Sequence, residues 1–261
     1  MTSISLIAWI AVFGGGLLAG FIDSIAGGGG LVTLPVLLAI GLPPHLAIGT
    51  NKVQSIFGSG TATIRYARGG LVPWKTIRWG VVMSFLFAAV GAWILRYIDA
   101  SILEKALPFV LAGIWFYVVF KKELGDSARQ ARIPGKIFYP AAGCTLGLYD
   151  GILGPGTGSF WTVSQVSLAG MDLKQATAAT KPSNFASNAG ALLIFLLTGA
   201  AVIPIGLVMA AGQTAGAWLG SHLVMKHKPR FIRPFFLVVV AATVAKLLWD
   251  QYGSVLLNSA F

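Results

Sequence analysis

Long runs of apolar residues, separated by short polar or glycine-rich breaks, fill almost the whole of this chain. Ten apolar segments can be traced, at residues 4–24, 30–41, 45–68, 76–98, 102–120, 137–151, 157–170, 174–199, 202–225 and 230–250. A helix needs about 20 such residues to cross the hydrocarbon core of a bilayer, and most of the segments reach or approach that length. The pattern therefore predicts an all-α, polytopic bundle of membrane helices.

The sequence of the first half returns in the second half. The run GFIDSIAGGGG at residues 20–30 corresponds to GLYDGILGPGT at residues 147–157, and residues 41–55 correspond to residues 170–184. In each half a glycine cluster joins the first apolar segment to a short second one, so we expect a broken or re-entrant helical hairpin in each. We therefore predict one membrane domain built from two repeats, residues 1–125 (segments one to five) and residues 126–261 (segments six to ten).

The basic residues predict how the repeats are oriented. Thirteen of the 19 Lys and Arg lie in three short loops, namely Arg65, Arg68, Lys75 and Arg78, then Lys121, Lys122, Arg129, Arg132 and Lys136, then Lys226, Lys228, Arg230 and Arg233. Short loops rich in Lys and Arg face the cytoplasm. The number of crossings between these loops then requires two repeats of inverted topology, with both termini outside. It leaves open whether the first two segments of each repeat cross fully or re-enter.

Residues 121–136 form the longest polar stretch of the chain. They include Gly125, Ser127 and Pro134, which are typical of a linker between the two repeats. An amphipathic helix on the membrane surface fits the same residues equally well.

Composition excludes several classes of protein. The chain is 56% hydrophobic and 10% charged, with a mean hydropathy of +0.79, whereas about 25% of the residues of soluble domains are charged. The net charge of +11 would suit nucleic acid, but the basic residues concentrate in short loops, so we expect a lipid bilayer and no nucleic acid as partner. The single Cys144 excludes a disulfide framework, and no Walker A or His-Glu-x-x-His motif is present. We expect no enzyme, no cofactor and no metal.

Four charged residues in the apolar segments are not explained by nearby loops or by pairing at segment ends, and charge is costly there. Asp23 and Asp150 occupy matching positions of the two repeats, and so do Lys52 and Lys181. A charge at the centre of a bilayer costs roughly 3 kcal/mol, so two lysines at equivalent depth indicate a function. Either both ammonium groups line a central anion site, or each lysine forms a structural ion pair with one of the aspartates. The aspartates, in turn, either couple transport to protons or cap the hairpin ends.

Neutral polar residues and glycines surround these charges. The amides and hydroxyl of four residues can donate hydrogen bonds to an anion, namely Asn51, Gln54, Ser183 and Asn184. Four more lie in the glycine clusters where a short helix would begin and present free N–H groups, namely Gly28, Gly29, Gly156 and Thr157. Hydrogen bonds between helices and close helix packing are the alternatives.

Three runs resemble the sulfite exporter TauE/SafE family. They are GFIDSIAGGGG at residues 20–30, GTNKVQSIFG at residues 49–58 and GLYDGILGPGTGSF at residues 147–160, and the resemblance covers nearly the whole chain. It implies a bacterial-type inner-membrane carrier of small anions, with sulfite, sulfonates such as sulfoacetate, and related organosulfur compounds as the usual candidates. The second repeat has Lys181-Pro182 without an asparagine before the lysine, so the two half-sites are not expected to be identical.

The sequence thus favours a secondary transporter that moves a small organic or sulfur oxyanion, such as sulfite or a sulfonate, by alternating access between two repeats. Coupling to protons through Asp23 or Asp150 is one option. An uncoupled anion channel or facilitator is the main alternative, and an intramembrane enzyme or a scaffold is a further one. The sequence makes no prediction of the oligomeric state.

Overall fold

The fold is a bundle of α-helices. The computed structural model describes residues 5–99, 102, 109, 113 and 127–226 of the chain. Within these ranges the helices are α1 (Leu6–Ala26), α2 (Gly30–Ala39), α3 (Pro44–Arg68), α4 (Trp74–Leu95), α5 (Gly135–Ile152), α6 (Thr157–Ser167), α7 (Leu173–Leu197) and α8 (Ile203–Lys226). Their ends agree with eight predicted segments to within three residues. The predicted segments 102–120 and 230–250 lie outside the described residues, apart from three isolated positions in the first.

The helices differ in length and in polarity. Within the described ranges three helices are long and apolar enough to cross a membrane, namely α1, α4 and α8. Helices α3 and α7 have 25 residues each but carry many polar side chains. Helices α2 and α6 have only 10 and 11 residues, so at 1.5 Å per residue each spans roughly half of the hydrocarbon core.

Glycines make the breaks that precede the two short helices. Helix α1 ends at Gly27, whose φ is 79°, and the turn between α5 and α6 contains Gly154 and Gly156 with φ of 92° and 78°. These left-handed conformations are accessible at low cost only to glycine. The two breaks also touch, because a Cβ on Gly27 would collide with the main chain of Gly158. The predicted interruptions are therefore present, and they meet inside the bundle.

Close helix packing also depends on glycine. A Cβ on Gly16 or Gly20 of α1 would collide with main-chain carbonyl groups of α8, and a Cβ on Gly216 would collide with the main chain of α1. Helices α4 and α5 approach each other in the same way through Gly91 and Gly151. Such small-residue faces let membrane helices pack with their backbones in contact. The two contacts involve helices at matching positions of the predicted repeats, because α1 packs on α8 and α5 packs on α4.

Two apolar clusters enclose a polar layer. The first cluster includes Val12, Leu34, Leu37, Ala47, Ile48, Leu95, Phe195 and Ile205, and the second includes Ile25, Tyr66, Ile77, Phe138, Tyr139, Trp161, Ala178 and Val224. Helix α3 runs from the first cluster to the second, and α7 runs from the second to the first. Helices α4 and α8 likewise run in opposite directions. Helix α2 returns from the break to the first cluster, and α6 returns to the second.

The described part of the predicted linker is irregular. Residues 127–134 form no helix, which favours the linker over the amphipathic surface helix for that part of residues 121–136. The main-chain N–H groups of Arg129 and Arg132 donate to the carbonyls of Gly170 and Leu168, at 2.8 and 2.9 Å. The linker is thus tied to the turn that follows α6.

Candidate functional site

Two lysines are fully buried in the polar layer. Lys52 lies in α3 and Lys181 in α7, each eight residues after the first residue of its helix, and both are 0% exposed. Lysine is almost never buried this completely without a partner. The burial of both side chains therefore has to be explained by the groups that they contact.

The first lysine binds the aspartate of the other predicted repeat. The Nζ atom of Lys52 lies 2.7 Å from Oδ1 of Asp150, which stands near the end of α5. The same oxygen is 3.0 Å from Oγ1 of Thr157, and the hydroxyl of Ser187 donates to Oδ2. The carboxylate of Asp150 therefore has three polar partners, supplied by three different helices.

The second lysine makes the reciprocal pair. The Nζ atom of Lys181 lies 3.3 Å from Oδ2 of Asp23 and also donates to the main-chain carbonyl of that residue. The main-chain N–H of Gly29 donates to Oδ1 of Asp23 at 3.3 Å. Both structural ion pairs that the sequence left open are thus formed. Each joins a lysine of one predicted repeat to the aspartate of the other.

A polar cavity lies at the point where the two helix breaks meet. Its lining consists of Asp23, Gly27, Gly30, Asn51, Lys52, Ser55, Asp150, Gly154, Gly156, Thr157, Gly158, Asn184 and Asn188. Apart from the glycines, every lining residue has a charged or polar side chain, whereas most ligand sites are lined mainly by apolar and aromatic groups. The space open to water is about 20 Å³, which is room for roughly one or two water molecules.

The predicted site residues divide into two groups. Seven of them line the cavity, namely Asp23, Asn51, Lys52, Asp150, Gly156, Thr157 and Asn184. The other five, which are Gly28, Gly29, Gln54, Lys181 and Ser183, are buried around it without lining it. Of these, Gly29 and Lys181 contact the cavity residue Asp23, and Gln54 donates to Asn51 at 2.7 Å.

One threonine in each short helix, Thr33 of α2 and Thr162 of α6, was missed by the sequence reasoning. The hydroxyl of Thr33 in α2 donates to the side-chain carbonyl of Asn51, directly before Lys52. In the second repeat Thr162 of α6 lies 3.1 Å from Thr180, directly before Lys181. Thr33 and Thr162 are separated by the same 129 positions as Lys52 and Lys181, so extending the repeat alignment by one segment would have found them.

Some buried polar atoms near the lysines have no protein partner. Within the described residues these include Oε1 of Gln54, Oγ of Ser183 and Oδ1 of Asn184. Buried polar atoms are nearly always hydrogen-bonded in native proteins. Unsatisfied atoms beside a polar cavity are therefore expected to bond to water or to a bound ligand.

The site favours binding by charge and hydrogen bonds over metal coordination. No group of three or more His, Cys, Asp or Glu side chains comes together in the described part of the chain. The cavity instead offers the ammonium of Lys52 and the amide groups of Asn51, Asn184 and Asn188. These donors suit the oxygens of an anion.

Comparison with known proteins gives a consistent result. The family model described as "Sulfite exporter TauE/SafE" matches residues 12–247. The probable membrane transporter protein YfcA of Escherichia coli (strain K12) is 42% identical over 242 residues, which cover 93% of this chain and 90% of that protein. The probable membrane transporter protein ORF9 of Sinorhizobium sp is 42% identical over 239 residues, covering 92% of each chain. The probable membrane transporter protein YjnA of Bacillus subtilis (strain 168) is 22% identical over 250 residues, 89% of this chain and 97% of that protein.

Proposed function

Because this chain belongs to the sulfite exporter TauE/SafE family of membrane transporters, which are not enzymes, we propose that it is a secondary transporter of a small oxyanion. The observation that carries this proposal is a fully buried lysine, Lys52, in the wall of a polar cavity between two helix breaks. A buried ammonium beside amide donors is the chemistry that recognises an oxyanion.

The lining of the cavity supports a compact substrate. A ligand with a long alkyl or aromatic part would need apolar side chains to bury that part, and the lining consists of charged, amide, hydroxyl and glycine residues. Sulfite and the smallest sulfonates meet this requirement. We therefore propose a small sulfur or organic oxyanion as the substrate, bound by Lys52 together with Asn51, Asn184 and the helix breaks at Gly156 and Thr157.

The arrangement of helices supports an inverted repeat. Helices α3 and α7 cross the polar layer in opposite directions, and so do α4 and α8. The short helices α2 and α6 each return to the side from which their partner helix came, as a re-entrant hairpin does. We propose that residues 1–125 and 126–261 are two inverted repeats of a bacterial inner-membrane protein with both termini outside.

The size of the cavity supports alternating access. Space for roughly one or two waters is too small for an anion of four or more heavy atoms. The two repeats therefore have to move apart on one side to admit the anion, and on the other side to release it. An open anion channel would need a continuous polar path instead.

The charges of the site support a coupled ion. Asp23 and Asp150 balance Lys52 and Lys181, so the four groups carry no net charge when both pairs are formed. An added anion leaves the buried site with a net negative charge, which is costly away from water. A proton on one aspartate restores neutrality, and we propose proton coupling on this ground.

Transport by purified protein in liposomes tests the proposal. We expect saturable uptake of radiolabelled sulfite that an inward proton gradient drives above equilibrium. Lys52→Ala and Lys181→Ala should abolish uptake, because the first removes the cation and the second leaves Asp23 unpaired beside the anion. Lys75→Ala, an exposed lysine at the start of α4, is the matched control and should transport normally. Normal uptake in both buried variants would remove the lysines from the mechanism, and uptake without saturation or accumulation would indicate a channel.

A further inference from the structure

The two lysines occupy matching positions but meet the cavity differently. Lys52 and its partner Asp150 both line the cavity, whereas of the second pair only Asp23 does and Lys181 does not. Elsewhere the lining draws on matching positions of both repeats, as in the pairs Asp23 and Asp150, Gly27 and Gly154, Gly30 and Thr157, and Ser55 and Asn184. Eight of the thirteen lining residues therefore form matched pairs, and Lys52 is one of the five whose counterpart does not line the cavity.

The contacts of Lys181 are those of a residue that holds another group in place. An ammonium has three donors, and Lys181 directs two of them to a single residue, to the carboxylate and to the main-chain carbonyl of Asp23. That carbonyl belongs to the last turn of α1 and also accepts from the N–H of Gly27 at 2.8 Å. A cation at the carboxyl end of a helix is favoured by the helix dipole. Lys181 thus fixes the end of α1 as well as its aspartate.

The contacts of Lys52 leave it available to a ligand. Among the described residues its Nζ has one hydrogen-bond acceptor, Oδ1 of Asp150, so two of its three donors are unused. A Cβ on Gly154 would lie 2.9 Å from Nζ of Lys52. The ammonium therefore has room beside the backbone only because residue 154 is glycine. An anion in the cavity can therefore accept hydrogen bonds from the unused donors of Lys52.

An anion at Lys52 has to compete with Asp150 for the same cation. The freed carboxylate of Asp150 would be buried, and an unpaired buried charge is costly unless it becomes neutral. Thr157 and Ser187 already bond to this carboxyl group and remain beside it when it is protonated. Besides Lys52 and Asp150, the charged residue in the cavity wall is Asp23 of α1, which is paired with Lys181. The charged side chains of α4 lie near the ends of that helix.

We propose that the two lysines have unequal roles: Lys52 is the cationic ligand of the anion, Asp150 takes up the proton that accompanies it, and Lys181 is a positioning residue for Asp23 and the end of α1. This inference rests on the proposed function. For a singly charged anion the charges balance. One anion replaces the Asp150 carboxylate at Lys52, one proton binds Asp150, and the site stays neutral throughout.

Two double variants separate these roles. Lys52→Met with Asp150→Asn removes one ion pair, and Lys181→Met with Asp23→Asn removes the other, and neither leaves a buried charge unpaired. The probe is methanesulfonate, whose single charge does not change near neutral pH, and the measurement is the ligand-induced rise in melting temperature of the purified protein, which yields Kd. We expect a loss of about a hundredfold or more in affinity in the first double variant and a change of less than about threefold in the second.

The pH dependence of binding tests the role of Asp150. If one proton is taken up with each anion, the Kd of the wild-type protein rises about tenfold for each unit of increase in pH. Asp150→Asn with Lys52 intact should bind methanesulfonate with no such slope, and the Lys181→Met, Asp23→Asn variant should keep it. A purely structural role of Asp150 would leave the slope unchanged.

Equal losses of affinity in the two double variants, or a wild-type slope in Asp150→Asn, would overturn the unequal roles while leaving anion transport intact. A wild-type protein that neither binds methanesulfonate nor transports sulfite would overturn the proposed function itself. The two failures are therefore distinguishable.

Discussion

The contact between the two helix breaks gives a prediction whose size follows from the structure. Gly27 ends α1 with φ of 79°, and an alanine in this left-handed conformation costs about 1 kcal/mol. The new Cβ would also collide with the main chain of Gly158 and Ser159. Main-chain atoms cannot rotate away as a side chain can, so overpacking adds about 2 kcal/mol. Gly27→Ala is therefore expected to destabilise the protein by about 3 kcal/mol.

A second glycine of the same conformation is the matched control. Gly41 has φ of 89°, and a Cβ there would meet nothing within 4 Å. Gly41→Ala therefore carries the backbone cost alone, about 1 kcal/mol. The assay is unfolding of each purified variant in mixed detergent micelles by added dodecyl sulfate, followed by circular dichroism. Equal losses of stability in the two variants would show that the breaks do not touch as described, and would refute the collision argument.

Two further predictions concern the polar layer. Lys52→Met leaves Asp150 buried without its cation and should lower the free energy of unfolding by about 3 kcal/mol or more. Adding Asp150→Asn should recover most of that loss. Strictly additive losses of the two substitutions in the same unfolding assay would contradict the ion pair. Thr33→Val removes a hydroxyl that donates to Asn51 and should cost about 1 kcal/mol, while Thr33→Ser should keep most of the stability. A loss in Thr33→Ser as large as in Thr33→Val would assign the effect to packing instead.

The helices were largely predictable because they depend on local patterns. Apolar runs and the glycine clusters that interrupt them set the limits of α1, α2 and α6, and the structure confirms these limits to within three residues. The same holds for α3, the least apolar of the described helices, since Pro44 begins the helix and Gly69 follows its end. Prolines and glycines mark helix ends in the sequence itself.

The site was predictable only as far as the repeat revealed it. Matching positions identified Lys52 and Lys181 as buried, and both are 0% exposed. Which aspartate each lysine contacts depends on where the tertiary fold places α3 relative to α5, and α7 relative to α1, which no local pattern encodes. The absence of Lys181 from the cavity wall is also a tertiary effect, because the sequence places Lys181 and Lys52 at equivalent positions.

The crossed ion pairs connect binding to movement. Each pair joins a helix of one proposed repeat to a helix of the other, α3 to α5 and α7 to α1. Any displacement of one repeat against the other therefore stretches both pairs, and breaking a buried pair by separating its charges is costly. In the proposed cycle an anion at Lys52 and a proton on Asp150 replace one pair with contacts that no longer hold the repeats together. A ligand shifts a conformational equilibrium only by its differential affinity for the two states. Weakening of the pair between Lys52 and Asp150 supplies that difference in affinity. The two repeats therefore move against each other more readily when the site is loaded than when it is empty and both pairs are intact.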